Sequence, residues 1–292
     1  MIRLWFAALT DFVAQSERLK DVLSATERER AKEQRIASRQ MEFIIGRGLL
    51  RLLLARELNI AADCVPIAYT PHGKPMLVRA QNDPLHFNMS HSGGCVLYAL
   101  SDDHPVGVDL EQIRPRRSAV AVARRLFTPA EQEFLFSAAA QDATDRFHAL
   151  WVRKESYAKA VGTGLSSALR GFDMLRDDLT PACESSTCSP ESSARRSNMP
   201  MRPETGSLEH ASAEMRLTSQ AHHSDPGQPF FAVGQAIRVW CTAGEATEFI
   251  LRDLDIRIKD SAVRFAGAVC SPAPVGPIHC GVLQPDILQG IP

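Results

Sequence analysis

The chain has 292 residues, is 45% hydrophobic and 23% charged, and carries a formal net charge of −1. That is ordinary globular composition, with length for one large domain or two of usual size. So small a net charge excludes a broad electrostatic attraction to nucleic acid or acidic lipid, and any anion bound must be held by a local basic cluster.

The N-terminus, "MIRLWFAALTD", has an apolar run too short for a secretory signal, and no later apolar run could span a bilayer. Seven cysteines, an odd count without a CxxC pair, argue against a disulfide framework and a structural zinc site. A reducing, cytoplasmic compartment and no membrane or nucleic-acid partner are expected.

From about Glu27 to Leu58 the spacing predicts helix, with Arg47 and Arg51 one turn apart on one face. "IAYTPHGKPML" predicts two short strands joined by a turn at His72-Gly73, and "LHFNMSHSGGCVLYALS" predicts strand, tight turn, strand. A five-residue loop then leads to "VGVDLE" (106–111), so a hairpin is expected there too.

Alternation along that strand puts Val106, Val108 and Leu110 on one face and Gly107, Asp109 and Glu111 on the other. Gly107 is expected to leave open space beside the two acids. Side-by-side carboxylates repel unless a cation lies between them or one is protonated. The pattern alone fits either a solvated strand face or a hard-cation site of the magnesium kind.

"FTPAEQEFLFSAAA" carries a helix start: Thr128 as N-cap, Pro129 at the first helical position, Glu131 closing a capping box, which is reason enough for Glu131. A second helix is predicted over about Thr144 to Val161, stopped by Gly162. Its apolar stripe is Phe147, Leu150, Trp151, Ala158 and Val161, with Lys154 inside the stripe and Glu155 and Lys159 on its edge. Taken alone, those three fit a snorkelling lysine and an ordinary Glu–Lys helix pair. About Arg176 to Gln228, rich in Ser, Pro, Glu, Arg and His and without a period, reads as a disordered insertion. Its removal, over about 180–226, is expected to leave turnover largely intact, because a disordered loop contributes little to the core. "PFFAVGQAIRVWCTA" and "EFILRDLDIRI" resume as strands, and the Pro/Gly-rich tail after about Ser271 is expected to be loosely ordered.

Three of these stretches in this order, "NMSHSGG" (88–94), "GVDLE" (107–111) and "WVRKESYAK" (151–159), together with "HGKP" (72–75), resemble the 4′-phosphopantetheinyl transferases of the larger, single-chain type that activates peptide and polyketide synthetases. The match is clear over about residues 40–173. The resemblance implies an α+β fold of two similar halves related by a pseudo-twofold axis, with the active site in the cleft between them. The halves would be 1–103 and 104–292, the second carrying the metal site and the insertion at about 176–228. It implies an enzyme that transfers the phosphopantetheine arm of coenzyme A to a serine of an apo carrier protein of a peptide, polyketide or fatty acid synthase, releasing adenosine 3′,5′-bisphosphate.

By the same resemblance Asp109, Glu111 and Glu155 hold magnesium, Lys159 neutralises phosphate charge, and Asp109, Glu155 and Lys159 form the catalytic set. Glu155 is the candidate base. Ser90, His91, Lys74, Arg47, Lys154 and Lys159 face coenzyme A; Lys154 could equally anchor its helix, and Arg51 is a weaker carry-over. Gly162 and Gly164 fit a helix end better than a phosphate loop. The two-half architecture implies a monomer. A magnesium-dependent phosphohydrolase would use the same acids but leaves the SHS element unexplained. A coenzyme A-binding regulator without turnover would be favoured by a missing carboxylate, and none is missing.

Overall fold

The structure is a computed structural model; it describes residues 1–70, 74–78, 85–162, 173–175, 178–179, 229–241, 247–258, 262–272 and 278–288. Met1–Ala182 with Gly227–Pro292 make up one compact unit. Apart from residues 178–179, the stretch expected to be a disordered insertion lies outside the described residues, as do the His72-Gly73 turn and Gly164.

The first sheet begins with β1 (Ile2–Ala8). Helices α1 (Ser16–Asp21), α2 (Ala25–Lys32) and α3 (Ala37–Leu58) follow, then the small pair β2 (Ile67–Tyr69) and β3 (Pro75–Leu77). Next come β4 (His86–Ser92) and β5 (Cys95–Ser101). Gly93 and Gly94, at φ 58° and 75°, make the two-residue turn of the expected β4–β5 hairpin, a left-handed backbone that glycine adopts without strain.

The predicted Glu27–Leu58 helix is two helices. Glu27 Oε2 accepts from Arg51 Nε at 2.5 Å. In one unbroken helix those residues would stand about 36 Å apart, at about 1.5 Å per residue. The break between α2 and α3 folds α2 back so that the buried pair can form. Ser24 and Glu27 cap α2 with a reciprocal box.

The second half runs through β6 (Gly107–Gln112), α4 (Ala119–Leu126), α5 (Pro129–Phe136), α6 (Ala140–Val161), β7 (Asp178–Leu179), β8 (Pro229–Cys241), β9 (Thr247–Ile258), β10 (Arg264–Pro272) and β11 (Ile278–Val282). Thr128, Pro129 and Glu131 form the predicted cap of α5. Helix α6 starts one turn earlier than expected and stops where expected, with Gly162 at φ 82°.

Besides the β2-β3 pair, two larger sheets form among the described residues, in the orders β11-β1-β5-β4 and β6-β10-β9-β8-β7. Strand β6 therefore makes no hairpin with β5; it pairs antiparallel with β10, Asp109 opposite Ala268. The reason is that β5 is already bonded on both edges, by β1 and β4. The C-terminal tail is also more ordered than expected: β11 lies parallel to β1, and Leu283 and Leu288 are buried in the first half's core. The division at 103/104 thus does not carry to the C-terminus, because the last strand completes the first sheet.

Strand alternation builds the layers. Ile2, Leu4 and Phe6 of β1, Cys95, Leu97 and Ala99 of β5, and Val108 and Leu110 of β6 share one core with Ile256, Phe265 and Val269, so the sheets pack face to face. The alternate residues Val96, Tyr98 and Leu100 face α3. Helix α6 covers the other sheet, with Phe147, Leu150, Trp151 and Ala158 in a third core. The fold is α+β, with a 22-residue helix on the outer face of each sheet.

Candidate functional site

The site lies on the seam where β4 of one sheet meets β6 of the other. Their contact is made by side chains. Asn88 Oδ1 accepts from the Val108 N–H at 3.2 Å, Ser90 Oγ donates to Asp109 Oδ1 at 2.7 Å, and Ser92 Oγ donates to Glu111 Oε2 at 2.9 Å. Residues 88, 90 and 92 share one face of β4 by alternation, so the SHS element presents two hydroxyls to two acids.

Gly107 does not leave open space. A Cβ there would overlap the Ser156 carbonyl oxygen and the Ala160 backbone nitrogen. The missing side chain is what lets α6 lie against β6 and deliver Lys159. Its Nζ donates to Asp109 Oδ1 at 2.6 Å, to Ser90 Oγ at 3.1 Å and to the Val108 carbonyl at 3.1 Å. Lys74 Nζ donates to the Lys159 carbonyl. Trp151 Nε1 donates to Glu111 Oε1 at 3.2 Å, and Arg116 lies 3.9 Å from the same oxygen.

The acids repel one another. Asp109 is 4% exposed, and burial raises its pKa against the opposing charge of Lys159 and the hydrogen bonds from Lys159 and Ser90. Its Oδ2 is buried without a hydrogen-bond partner. Glu155, one turn before Lys159, is pushed up to about 7, first by burial and then by the charge of Asp109, with Glu111 adding to it. Among the described residues no three carboxylate, imidazole or thiol groups stand close enough to ligate an ion as they lie. The orphaned oxygen of Asp109 and the mutual repulsion of the three acids nonetheless suit a hard cation. Burial lowers the pKa of Lys74, and the charge of Lys159 lowers it further.

His91 points to the opposite face of β4 from Ser90. It lines a cavity of about 410 Å³ with Arg39, Phe43, Arg47 and Met89. Desolvation, then the charges of Lys159, Arg39 and Arg47, hold its imidazole below the ordinary range, against Glu42. Arg47 lies 5.5 Å from both the Phe43 and Tyr69 ring centroids. Arg51 is elsewhere: it is 1% exposed and held by Glu27 and the carbonyls of Ala62, Asp63 and Val65. Lys154 is also away from the seam, in the core, with its ammonium 2.9 Å from Glu131 Oε2.

Thus Ser90, Asp109, Glu111, Lys159 and Lys74 meet at one place with Glu155 beside them, and His91 and Arg47 share the adjoining cavity. Sequence reasoning missed Ser92, Trp151 and Arg39. Ser92 stands two residues from Ser90, so the alternation that placed Asp109 and Glu111 would have found it. Trp151 belongs to the apolar stripe by its ring, and helical spacing carries no signal for the partner of its N–H.

Residues 105–198 match the family described as the 4′-phosphopantetheinyl transferase superfamily, and residues 10–102 match the 4′-phosphopantetheinyl transferase N-terminal family. The chain is 35% identical over 148 residues to a Synechocystis sp. protein named as a candidate 4′-phosphopantetheinyl transferase, covering 51% of this chain and 60% of that one. It is 34% identical over 166 residues to the 4′-phosphopantetheinyl transferase HetI of Nostoc sp., covering 56% and 70%. It is 31% identical over 165 residues to a Bacillus subtilis 4′-phosphopantetheinyl transferase, covering 56% and 71%.

Proposed function

The chain belongs to the 4′-phosphopantetheinyl transferase superfamily, and on that premise we propose that it moves the 4′-phosphopantetheine arm of coenzyme A onto a serine of an apo carrier protein. The serine oxygen bonds to the phosphorus bearing the arm, the pyrophosphate P–O bond breaks, and adenosine 3′,5′-bisphosphate leaves. The observation that carries this reading is the seam, where two serine-held carboxylates, a third carboxylate and a lysine converge beside a basic cavity.

Such a transfer asks for positioning and charge neutralisation more than for covalent help. Asp109, Glu111 and Glu155 would hold Mg²⁺, which when bound supplies positive charge at the attacked phosphate. Lys159 and Lys74, joined through the Lys159 carbonyl, bring ammonium charge to the phosphate oxygens. His91 and Arg47 face the nucleotide's phosphate from the cavity. Glu155, one turn before Lys159 on α6, is the group that accepts the proton of the attacking serine. Lys154 is read as the anchor of α6. We read the protein as a cytoplasmic monomer on the resemblance and on its odd, CxxC-free cysteine count.

The test is the intact mass of an apo carrier protein incubated with this enzyme, coenzyme A and magnesium. A gain of about 340 Da, the arm delivered by phosphoryl-type transfer, is expected. Asp109→Ala and Glu155→Ala, folded by circular dichroism, are expected to show no gain. Wild-type transfer by either would overturn the site, and coenzyme A cleaved without a mass gain would make the protein a hydrolase.

A further inference from the structure

Glu111 is held differently from Asp109. Asp109 shares one oxygen with a lysine and leaves the other without a partner. Glu111 has both oxygens hydrogen-bonded by uncharged donors, Oε2 by the Ser92 hydroxyl at 2.9 Å and Oε1 by the Trp151 indole N–H at 3.2 Å, while the Arg116 guanidinium stands farther off, 3.9 Å from Oε1, beyond hydrogen-bond distance. Neutral donors fix a carboxylate without cancelling its charge, and each oxygen keeps a second lone pair. Ser92 is itself fixed, because its Oγ accepts the Gln112 N–H at 3.1 Å. The Trp151 ring is fixed too: it is 8% exposed, stacks on Phe147 at 6.1 Å between centroids, and has the Arg116 guanidinium 5.2 Å from its own centroid. A buried indole N–H usually finds an acceptor, and for Trp151 that acceptor is an acid of the site.

We propose that Ser92 and Trp151 are positioning residues that hold the Glu111 carboxylate in the orientation a divalent cation requires. The proposal rests on the reading of Asp109, Glu111 and Glu155 as the metal-binding acids. It gives the second serine of the SHS element and the tryptophan of the W-x-x-K-E helix one shared task. A tryptophan serving only the core would lose packing on replacement by phenylalanine but leave divalent-cation affinity unchanged. A serine serving only the strand end would be indifferent to what lies across the seam.

The probe is Mn²⁺, read directly by electron paramagnetic resonance of the free ion with no coenzyme A or carrier present. Trp151→Phe and Ser92→Ala are each expected to weaken Mn²⁺ binding by about tenfold, the usual scale for groups that orient a ligand. The Mn²⁺ concentration giving half-maximal transfer should rise by the same factor. Ser92→Thr, which keeps the hydroxyl, should recover the affinity. Unchanged Mn²⁺ affinity in Ser92→Ala and Trp151→Phe would overturn the proposal, and Ser92→Ala alone decides it if Trp151→Phe does not fold. Wild-type protein that binds no Mn²⁺, yet transfers the arm without added metal, would instead overturn the metal reading beneath it.

Discussion

Two lysines five residues apart on α6 meet opposite fates, and the contrast shows what a residue's neighbours decide. Lys159 reaches the seam and bonds Asp109 at 2.6 Å. Lys154 turns into the core and meets Glu131, which also accepts the N–H of Thr128 and the N–H of Met174, each at 2.7 Å. The capping box was legible from the spacing of Thr128 and Glu131. That the same carboxylate also receives a lysine from another helix was not, because spacing says nothing about what packs across a core. The resemblance placed Lys154 among the residues facing coenzyme A, whereas its burial and partner fit an anchor. Lys154→Met would leave a buried carboxylate without its cation, a change that typically costs about 3–5 kcal/mol. Urea unfolding should show a loss of that order, while the folded protein keeps wild-type affinity for coenzyme A. Preserved stability with lost coenzyme A affinity would return Lys154 to the phosphates.

Among elements, the decisive contact is the approach of α6 to β6. Alternation along 106–111 correctly separated the core face from the acidic face, since period-two burial is a local property. It misjudged Gly107, because the atoms that fill the space beside it come from a helix some 50 residues later. It also misjudged the partner of β6, since hairpin reasoning sees only the nearest strand and not whether that strand still has a free edge. Gly107→Ala puts a methyl group against backbone atoms of Ser156 and Ala160, which cannot rotate away as a side chain would. Overpacking of this kind costs about 1–3 kcal/mol. The helix must also shift away from β6, carrying Lys159 and Glu155 with it. Transfer by Gly107→Ala should therefore fall by more than tenfold at a temperature where circular dichroism shows it folded. A variant that melts lower yet transfers at the wild-type rate would separate stability from the positioning of α6.

At the scale of the whole molecule, the pairings that close the sheets join distant parts of the chain. Strand β6 finds β10 more than 150 residues later, and β1 finds β11 near the C-terminus. No local pattern encodes such pairs, which is why the tail was read as loose. The same geometry constrains the segment between β7 and β8. These strands are parallel, with Asp178 opposite Arg238 and Leu179 opposite Val239. The chain leaving Leu179 must therefore return past the length of β8 to enter it at Pro229, ten residues back along that strand. At about 3.3 Å per residue that is roughly 33 Å, which an extended chain needs about ten residues to cover. The expected tolerance to removing about 180–226 thus needs amending, because two remaining residues cannot cover the distance. A variant with 183–226 replaced by fifteen Gly/Ser residues spans it with slack, and lengthening or shortening a closed loop changes stability only logarithmically. That variant should melt within a few degrees of wild type and transfer at a similar rate. The bare deletion should melt lower because β7 is pulled from the sheet edge. If both lose transfer equally while still folding, Cys183–Pro226 contributes to the reaction itself rather than only joining β7 to β8.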